Sequence, residues 1–248
     1  MARQDQGITI DRYLGNLAHV WGCPEQRLKE YWDDLQRDGD FLGEINQAIR
    51  DVPEFAGAHF THVNDLRVYR CMLYLFVRAI RPEVMVETGV HNGMSSAFIL
   101  LGMARNGTGT LVSVDMPPDD VRILEQGTNP LPGAKVPGWI IPERLRDRHQ
   151  LLLGPAERLL PEALAAQGGI DAFLHDSDHS YSHMMFEMGL AWAYLRPGGW
   201  ILADNVEQNP AFSHFCSGVG GEGLVIASFD TPERLWQHGL LAKTEMTS

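Results

Sequence analysis

Two short stretches hold most of the chain's capacity for chemistry. His175-Asp176-Ser177-Asp178-His179 places two acids and two histidines within five residues, and Ala203-Asp204-Asn205 closes a later apolar run. Three chemistries compete for these side chains. Asp176 and Asp178, one residue apart, suit paired carboxylates that hold a divalent ion against a diphosphate. His175, His179 and His183, at four-residue intervals, suit a zinc site on a helix, although His175 is expected to lie still on a strand. Asp176 with Asp204 and Asn205 offers three hard oxygen ligands, a set suited to Mg²⁺ with water and substrate completing the octahedron. In the last arrangement His179 is a competent general base, since a neutral imidazole takes a proton readily near pH 7. Asp178 has a plainer use as the cap of the helix that follows.

An upstream stretch suggests what these groups act beside. Val84–Ser96 reads V-M-V-E-T-G-V-H-N-G-M-S-S, a buried apolar run followed by an acid, two glycines and the start of a helix. Glycine is required where the backbone turns tightly and approaches a ligand without a Cβ in the way. Neither the phosphate-loop spacing nor G-x-G-x-x-G is present, which weakens the nucleotide-triphosphate and dinucleotide readings. A second apolar run, Leu111–Val114, ends in Asp115. An acid at that distance beyond the glycines is placed to hold a ribose diol.

These residues must be carried by strands that end together. Apolar runs at 84–86, 111–114, 150–153, 170–175 and 200–203 alternate with helical segments at 65–80, 97–104, 158–166 and 184–195. A further helix at 210–216 and a closing antiparallel strand pair at 224–229 and 236–242 complete the pattern. The expectation is an α/β fold: a Rossmann-like, mostly parallel sheet with helices on both faces. Ligands in such sheets sit beyond the carboxyl ends of the strands, where Glu87, Asp115, Gly154, Asp176 and Asp204 all fall. Ahead of the sheet, segments 8–20, 24–36 and 41–50 read as amphipathic helices. They form a helical N-terminal appendage over residues 1–62, a cap or oligomer contact, before a catalytic domain over 63–248.

Together, E-T-G-V-H-N-G, V-S-V-D and L-R-P-G-G-W-I-L-A-D-N resemble class I S-adenosylmethionine-dependent methyltransferases across about Val63–Lys243. The resemblance is strongest to the divalent-metal O-methyltransferases of the catechol and caffeoyl-CoA type and to their relatives acting on antibiotic sugars. It implies S-adenosylmethionine as cofactor, held by Glu87, Thr88, Gly89, His91, Gly93, Ser95, Asp115, Ala156, Glu157 and Asp176. It also implies Mg²⁺ on Asp176, Asp204 and Asn205, with Asp176 and His179 as catalytic residues. Those families carry a lysine three residues after the first acid; here that position is His179. The expected reaction is methyl transfer to a hydroxyl of a small molecule: a sugar, a catechol or a natural product. A metal-independent or nitrogen-directed methyltransferase, a D-x-D glycosyltransferase and a non-catalytic Rossmann-like binding module are the alternatives.

Composition narrows the partners. A formal charge of −12 opposes broad binding to nucleic acid or an anionic membrane surface. Arg144–Arg148 is the densest basic stretch and reads as a solvated helix end. Three scattered cysteines suit a reducing compartment. With no apolar signal core at its start, the chain is expected to be cytoplasmic, with a small-molecule acceptor and a homo-oligomeric state as candidate partners. Segment 127–142 holds four prolines and three glycines and is a candidate lid, with Trp139 as substrate contact or anchor.

Overall fold

The computed structural model describes residues 9–117, 131–133, 135–227 and 237–244 of the 248-residue chain. Three helices come first: α1 (Ile10–Val20), α2 (Glu25–Gln36) and α3 (Gly39–Ile49). Thr9 caps α1, and Asp38 caps α3 by accepting from the Phe41 amide at 3.0 Å. The Asp38 cap starts α3 at Gly39, two residues earlier than the segment 41–50 read from sequence. Pro24 stands at the N-cap of α2, just outside the first turn the sequence assigns to it.

The helix expected over 65–80 is broken. Val63–Leu66 forms a 3₁₀ turn, Arg67 takes a left-handed φ of 80°, and α4 (Val68–Ile80) follows. The chain then alternates through β1 (Val84–Thr88), α5 (Met94–Asn106), β2 (Thr110–Asp115), β3 (His149–Leu153), α6 (Ala156–Gln167), β4 (Ile170–His175), α7 (Tyr181–Tyr194), β5 (Leu195–Ala203), α8 (Ala211–Gly218), β6 (Leu224–Ala227) and β7 (Gln237–Ala242). Residues 228–236, which include the ends of both closing strands as read from sequence, lie outside the described residues.

Among the described residues the sheet has seven strands in the order β3-β2-β1-β4-β5-β7-β6. β1 to β5 run parallel, while β7 is antiparallel to both β5 and β6. The strand read from sequence at 200–203 begins five residues earlier, so the Arg196–Gly199 stretch belongs to β5. Leu195 already pairs with Ile170, and the register slips before Trp200 pairs with Ala172. Gly198 sits in this irregular stretch at φ 81° and donates to the Lys243 carbonyl at 2.7 Å.

Two apolar layers flank the sheet. One joins Leu14, Leu17, Leu28, Phe41 and Ile45 of the first three helices to α4 and α5, with Trp21 edge-on to Phe76 at 5.7 Å and Phe41 edge-on to Phe98 at 5.1 Å. The aromatic residues of the appendage thus pack onto the core. The other layer holds α6, α7 and α8 against Val86, Val112, Phe173 and Ile201. Arg144–Arg148 closes a 3₁₀ turn, Glu143–Arg148, and is a partly solvated helix end whose arginines are also engaged. Arg144 grips Glu44 of α3 through Nε and Nη2, while Arg146 and Arg148 donate to the carbonyls of Gly138 and Gly109. No helix among the described residues is long and apolar enough to cross a membrane.

The register fixes the site. Thr88, His175 and Ala203 stand side by side at the ends of β1, β4 and β5. One more step of the ladder, Asp176 N–H to the Thr88 carbonyl and Asp204 N–H to the His175 carbonyl, sets Gly89, Asp176 and Asp204 in a row.

Candidate active site

Beyond β1 the chain turns through Gly89 and Gly93 at φ 83° and 89°, with His91 also left-handed at φ 49°. A Cβ on Gly89 would lie 2.0 Å from the Asp176 carbonyl oxygen, so glycine is what lets β1 and β4 deliver their ends to one point. Gly93 is small for a different reason. Its Cβ would meet Gly138 Cα at 2.6 Å and Ile141 Cγ1 at 2.9 Å. The space that the sequence reserves for a ligand is taken there by the chain's own 135–142 segment. That segment docks through Gly138 N–H to the His91 carbonyl and Ile140 N–H to the Asn92 carbonyl. Trp139 packs edge-on against Phe55 at 6.1 Å and is the segment's anchor. Residues 118–130 and 134, which hold the rest of the candidate lid, lie outside the described residues.

Asp115 latches the glycine turn. Its Oδ2 accepts from the amides of Val90 (3.0 Å) and His91 (2.6 Å), and its Oδ1 accepts from Met116 (2.7 Å). Each carboxylate oxygen accepts about two hydrogen bonds, so Oδ1 retains capacity for a hydroxyl donor. Glu87 is fully buried behind the turn, held by Ser96 Oγ at 2.5 Å and Ser113 Oγ at 2.6 Å. Burial outweighs those two bonds and pushes its pKa up to about 7. The folded chain therefore keeps a proton that the unfolded chain releases above its ordinary value of 4.5. Stability should fall as pH rises through the window from about 4.5 to about 7, by up to ~3 kcal/mol from this residue. Urea unfolding of wild type and Glu87→Gln at pH 5 and pH 7.5 checks this, the variant losing the pH dependence.

The acids at the ends of β4 and β5 meet. Asp176 and Asp204 share a hydrogen bond, and an oxygen of each lies with a His179 nitrogen in a group spanning no more than 4.8 Å. Burial, then the neighbouring Asp204 charge, raises the Asp176 pKa well above the carboxylate range. Asp204 is the ionised partner: burial opposes its charge, but His238 and the bond from Asp176 lower its pKa. The pair thus holds one proton between two acids. His238 on β7 brings Nδ1 to 2.6 Å from Asp204 Oδ1, off the direction of a good hydrogen bond, and its ring stacks on Tyr69 at 3.7 Å. Asn205 takes φ 52°, a left-handed conformation uncommon outside glycine, and its Oδ1 is buried without a partner among the described residues. Its Nδ2 lies 3.4 Å from His179 Nε2. Burial, followed by His175, lowers the His179 pKa, so the imidazole is neutral at pH 7.

A fully buried carboxylate braces this floor. Glu187 of α7 accepts from Thr88 Oγ1 (2.6 Å), His175 Nδ1 (2.5 Å), Ser177 Oγ (2.9 Å) and His183 Nε2 (2.8 Å). The zinc reading fails here, because His175 and His183 both serve Glu187. Asp178 turns aside to cap Ser180, accepting from its amide at 2.9 Å, so the D-x-D acids do not converge.

A cavity of about 310 Å³ opens above the row of strand ends, walled by Gly89, His91, Ser95, Asp176, Asp204 and Asn205 together with Arg67, Tyr69, Arg70 and His238. Of the residues expected from sequence, Thr88, Glu87 and Gly93 sit behind the wall, and Asp115 holds the turn. Ala156 and Glu157 lie at the start of α6 beyond β3, with Glu157 exposed and 3.9 Å from His183. His179 is not among the residues that wall the cavity, but a ring nitrogen of it groups with oxygens of Asp176 and Asp204 on the floor. The sequence reading missed Arg67, Tyr69, Arg70, His238 and Glu187. Glu187 had a signal, a lone acid in the apolar run H-M-M-F-E-M-G-L and four residues after His183.

The model of a methyltransferase domain matches residues 86–206, from β1 through the end of β5. No curated protein sequence matches the chain significantly. Several solved structures share its fold. An O-methyltransferase from Bacillus cereus in complex with SAH aligns with a TM-score of 0.57 at 16% identity, covering 87% of this chain and 96% of that one. The O-methyltransferase TomG from Streptomyces achromogenes, involved in tomaymycin synthesis and solved with SAM, aligns at 0.55 and 17%, covering 99% and 100%. The SAH-bound methyltransferase PaMTH1 of Podospora anserina aligns at 0.55 and 16%, covering 89% and 95%. Domain match, strand order and glycine turn agree: residues 86–206 match a methyltransferase domain, and the chain has the fold of the S-adenosylmethionine-dependent methyltransferases.

Proposed function

We propose that the chain transfers the sulfonium methyl of S-adenosylmethionine to a hydroxyl of a small molecule, assisted by a divalent cation. The observation that carries this is the convergence of Asp176, Asp204 and His179 beside the cofactor turn. Two acids in contact, one retaining a proton, and a buried amide oxygen of Asn205 without a partner among the described residues fit a site for a divalent ion. Asp176, Asp204 and Asn205 would hold it, and a bound ion lowers the pKa of a hydroxyl that it touches. His179 takes the hydroxyl proton as the acceptor oxygen forms its bond to carbon and the S–C bond breaks. The floor of the cavity, fixed by the strand register, orients the two reactants for in-line displacement. The O-methyltransferases among the similar folds, one of them in natural-product synthesis, support oxygen as the methylated atom and an acceptor of sugar, catechol or natural-product type.

Chelation tests the ion. Turnover should be lost after exhaustive treatment with EDTA and return with added Mg²⁺ or Mn²⁺, while SAH binding stays within about threefold. Undiminished turnover after chelation would remove the ion and leave the three residues as direct contacts to cofactor or acceptor.

A further inference from the structure

Methyl transfer as described assigns no task to Arg67 or Arg70 of the cavity wall, and of the two Arg70 is the less exposed. Arg70 lines the same wall as Ser95, Asp176 and Asp204. It is there because the left-handed Arg67 breaks the helix and starts α4 at Val68, beside the strand ends. Its Nη1 donates to the Leu66 carbonyl at 2.8 Å. Among the described residues its guanidinium has no carboxylate partner within the 4.0 Å of an ion pair. The nearby acids are otherwise engaged, Asp176 with Asp204 and Asp204 with His238.

A guanidinium has five N–H donors in a planar fork, and among the described residues one of these is committed, to the Leu66 carbonyl. A planar carboxylate matches such a fork with two parallel hydrogen bonds. A phosphate dianion fits less well, since it would face the acids of the floor at close range. We infer that Arg70 is the carboxylate-binding residue of this cavity. The carboxylate belongs either to the amino-acid end of S-adenosylmethionine or to an acid group on the acceptor. The inference rests on the cofactor assignment, and neither on the ion nor on oxygen as the methylated atom.

Calorimetry with four ligands tests it on the full chain. SAH and its decarboxylated analogue are titrated into wild type, Arg70→Gln and Arg70→Lys. Benzoate and benzamide are titrated into the same proteins saturated with SAH. If the cofactor supplies the carboxylate, Arg70→Gln weakens SAH about 10- to 100-fold and leaves the decarboxylated analogue unchanged. If the acceptor supplies it, SAH is unaffected, and benzoate loses affinity by that factor while benzamide does not. Arg70→Lys keeps the charge without the fork, should fall between the two, and carries the comparison if the glutamine variant does not fold. The inference is overturned if no carboxylate affinity shifts. It is equally overturned if each carboxylate and its neutral counterpart weaken together.

Discussion

Glu187→Leu is expected to lower folding stability by about 3–5 kcal/mol, the largest loss of any single substitution in this site. The carboxylate is fully buried and collects donors from four residues, so leucine would strand Thr88, His175, Ser177 and His183 at once. Burial opposes its charge, but the bonds from His175 and His183 prevail and bring its pKa down to about 2. A depressed acid stabilises the fold above its ordinary value of 4.5, and that contribution fades as pH falls towards about 2. Glu187→Gln keeps acceptor oxygen and should lose less. Thermal or urea unfolding at pH 7 measures both variants, and a loss below about 1 kcal/mol for leucine would mean that the four donors find other partners. Because Thr88 and Ser177 flank Gly89 and Asp176, the same variant should also loosen the row of strand ends from which the cavity is built.

His179→Ala is expected to cut kcat by about 10²–10⁴ while leaving SAH affinity nearly unchanged. The imidazole is neutral at pH 7 and lies beside the acid pair, and the backbone carbonyl of His179 accepts from Asn209 Nδ2 at 2.7 Å. The spacing of no more than 4.8 Å also favours a second reading, in which His179 gives a nitrogen ligand to the ion. Mn²⁺ titration of the variant separates them: a base leaves Mn²⁺ affinity intact, and a ligand lowers it with kcat. A variant with nearly full kcat would remove His179 from both roles.

The strand ends were readable because burial on both faces writes a strand as a short apolar run, and a polar residue then marks where it leaves the core. Val84–Thr88 and Ile170–His175 were located in this way, and parallel pairing brings such ends together without further information. The helix break at Arg67 had no such mark. Neither proline nor glycine signals it, and an arginine carries no mark of the left-handed φ it takes here. Tyr69 and Arg70 were therefore placed on an ordinary core helix. His238 was hidden differently, since it enters the site from an antiparallel strand that leads into the sheet from the opposite direction. The sequence reads Gly93 as the close approach of a ligand, whereas the neighbour that meets it is Gly138 of the same chain, which no local signal announces.

The most direct measurement follows the methyl group. Wild-type protein is incubated with methyl-labelled S-adenosylmethionine and a panel of catechol, sugar and amine acceptors, and the labelled product is identified by mass spectrometry and NMR. The account predicts one added methyl on an oxygen and one SAH released per turnover. Label on nitrogen, or transfer from a sugar nucleotide with no methyl transfer to any acceptor, would contradict it.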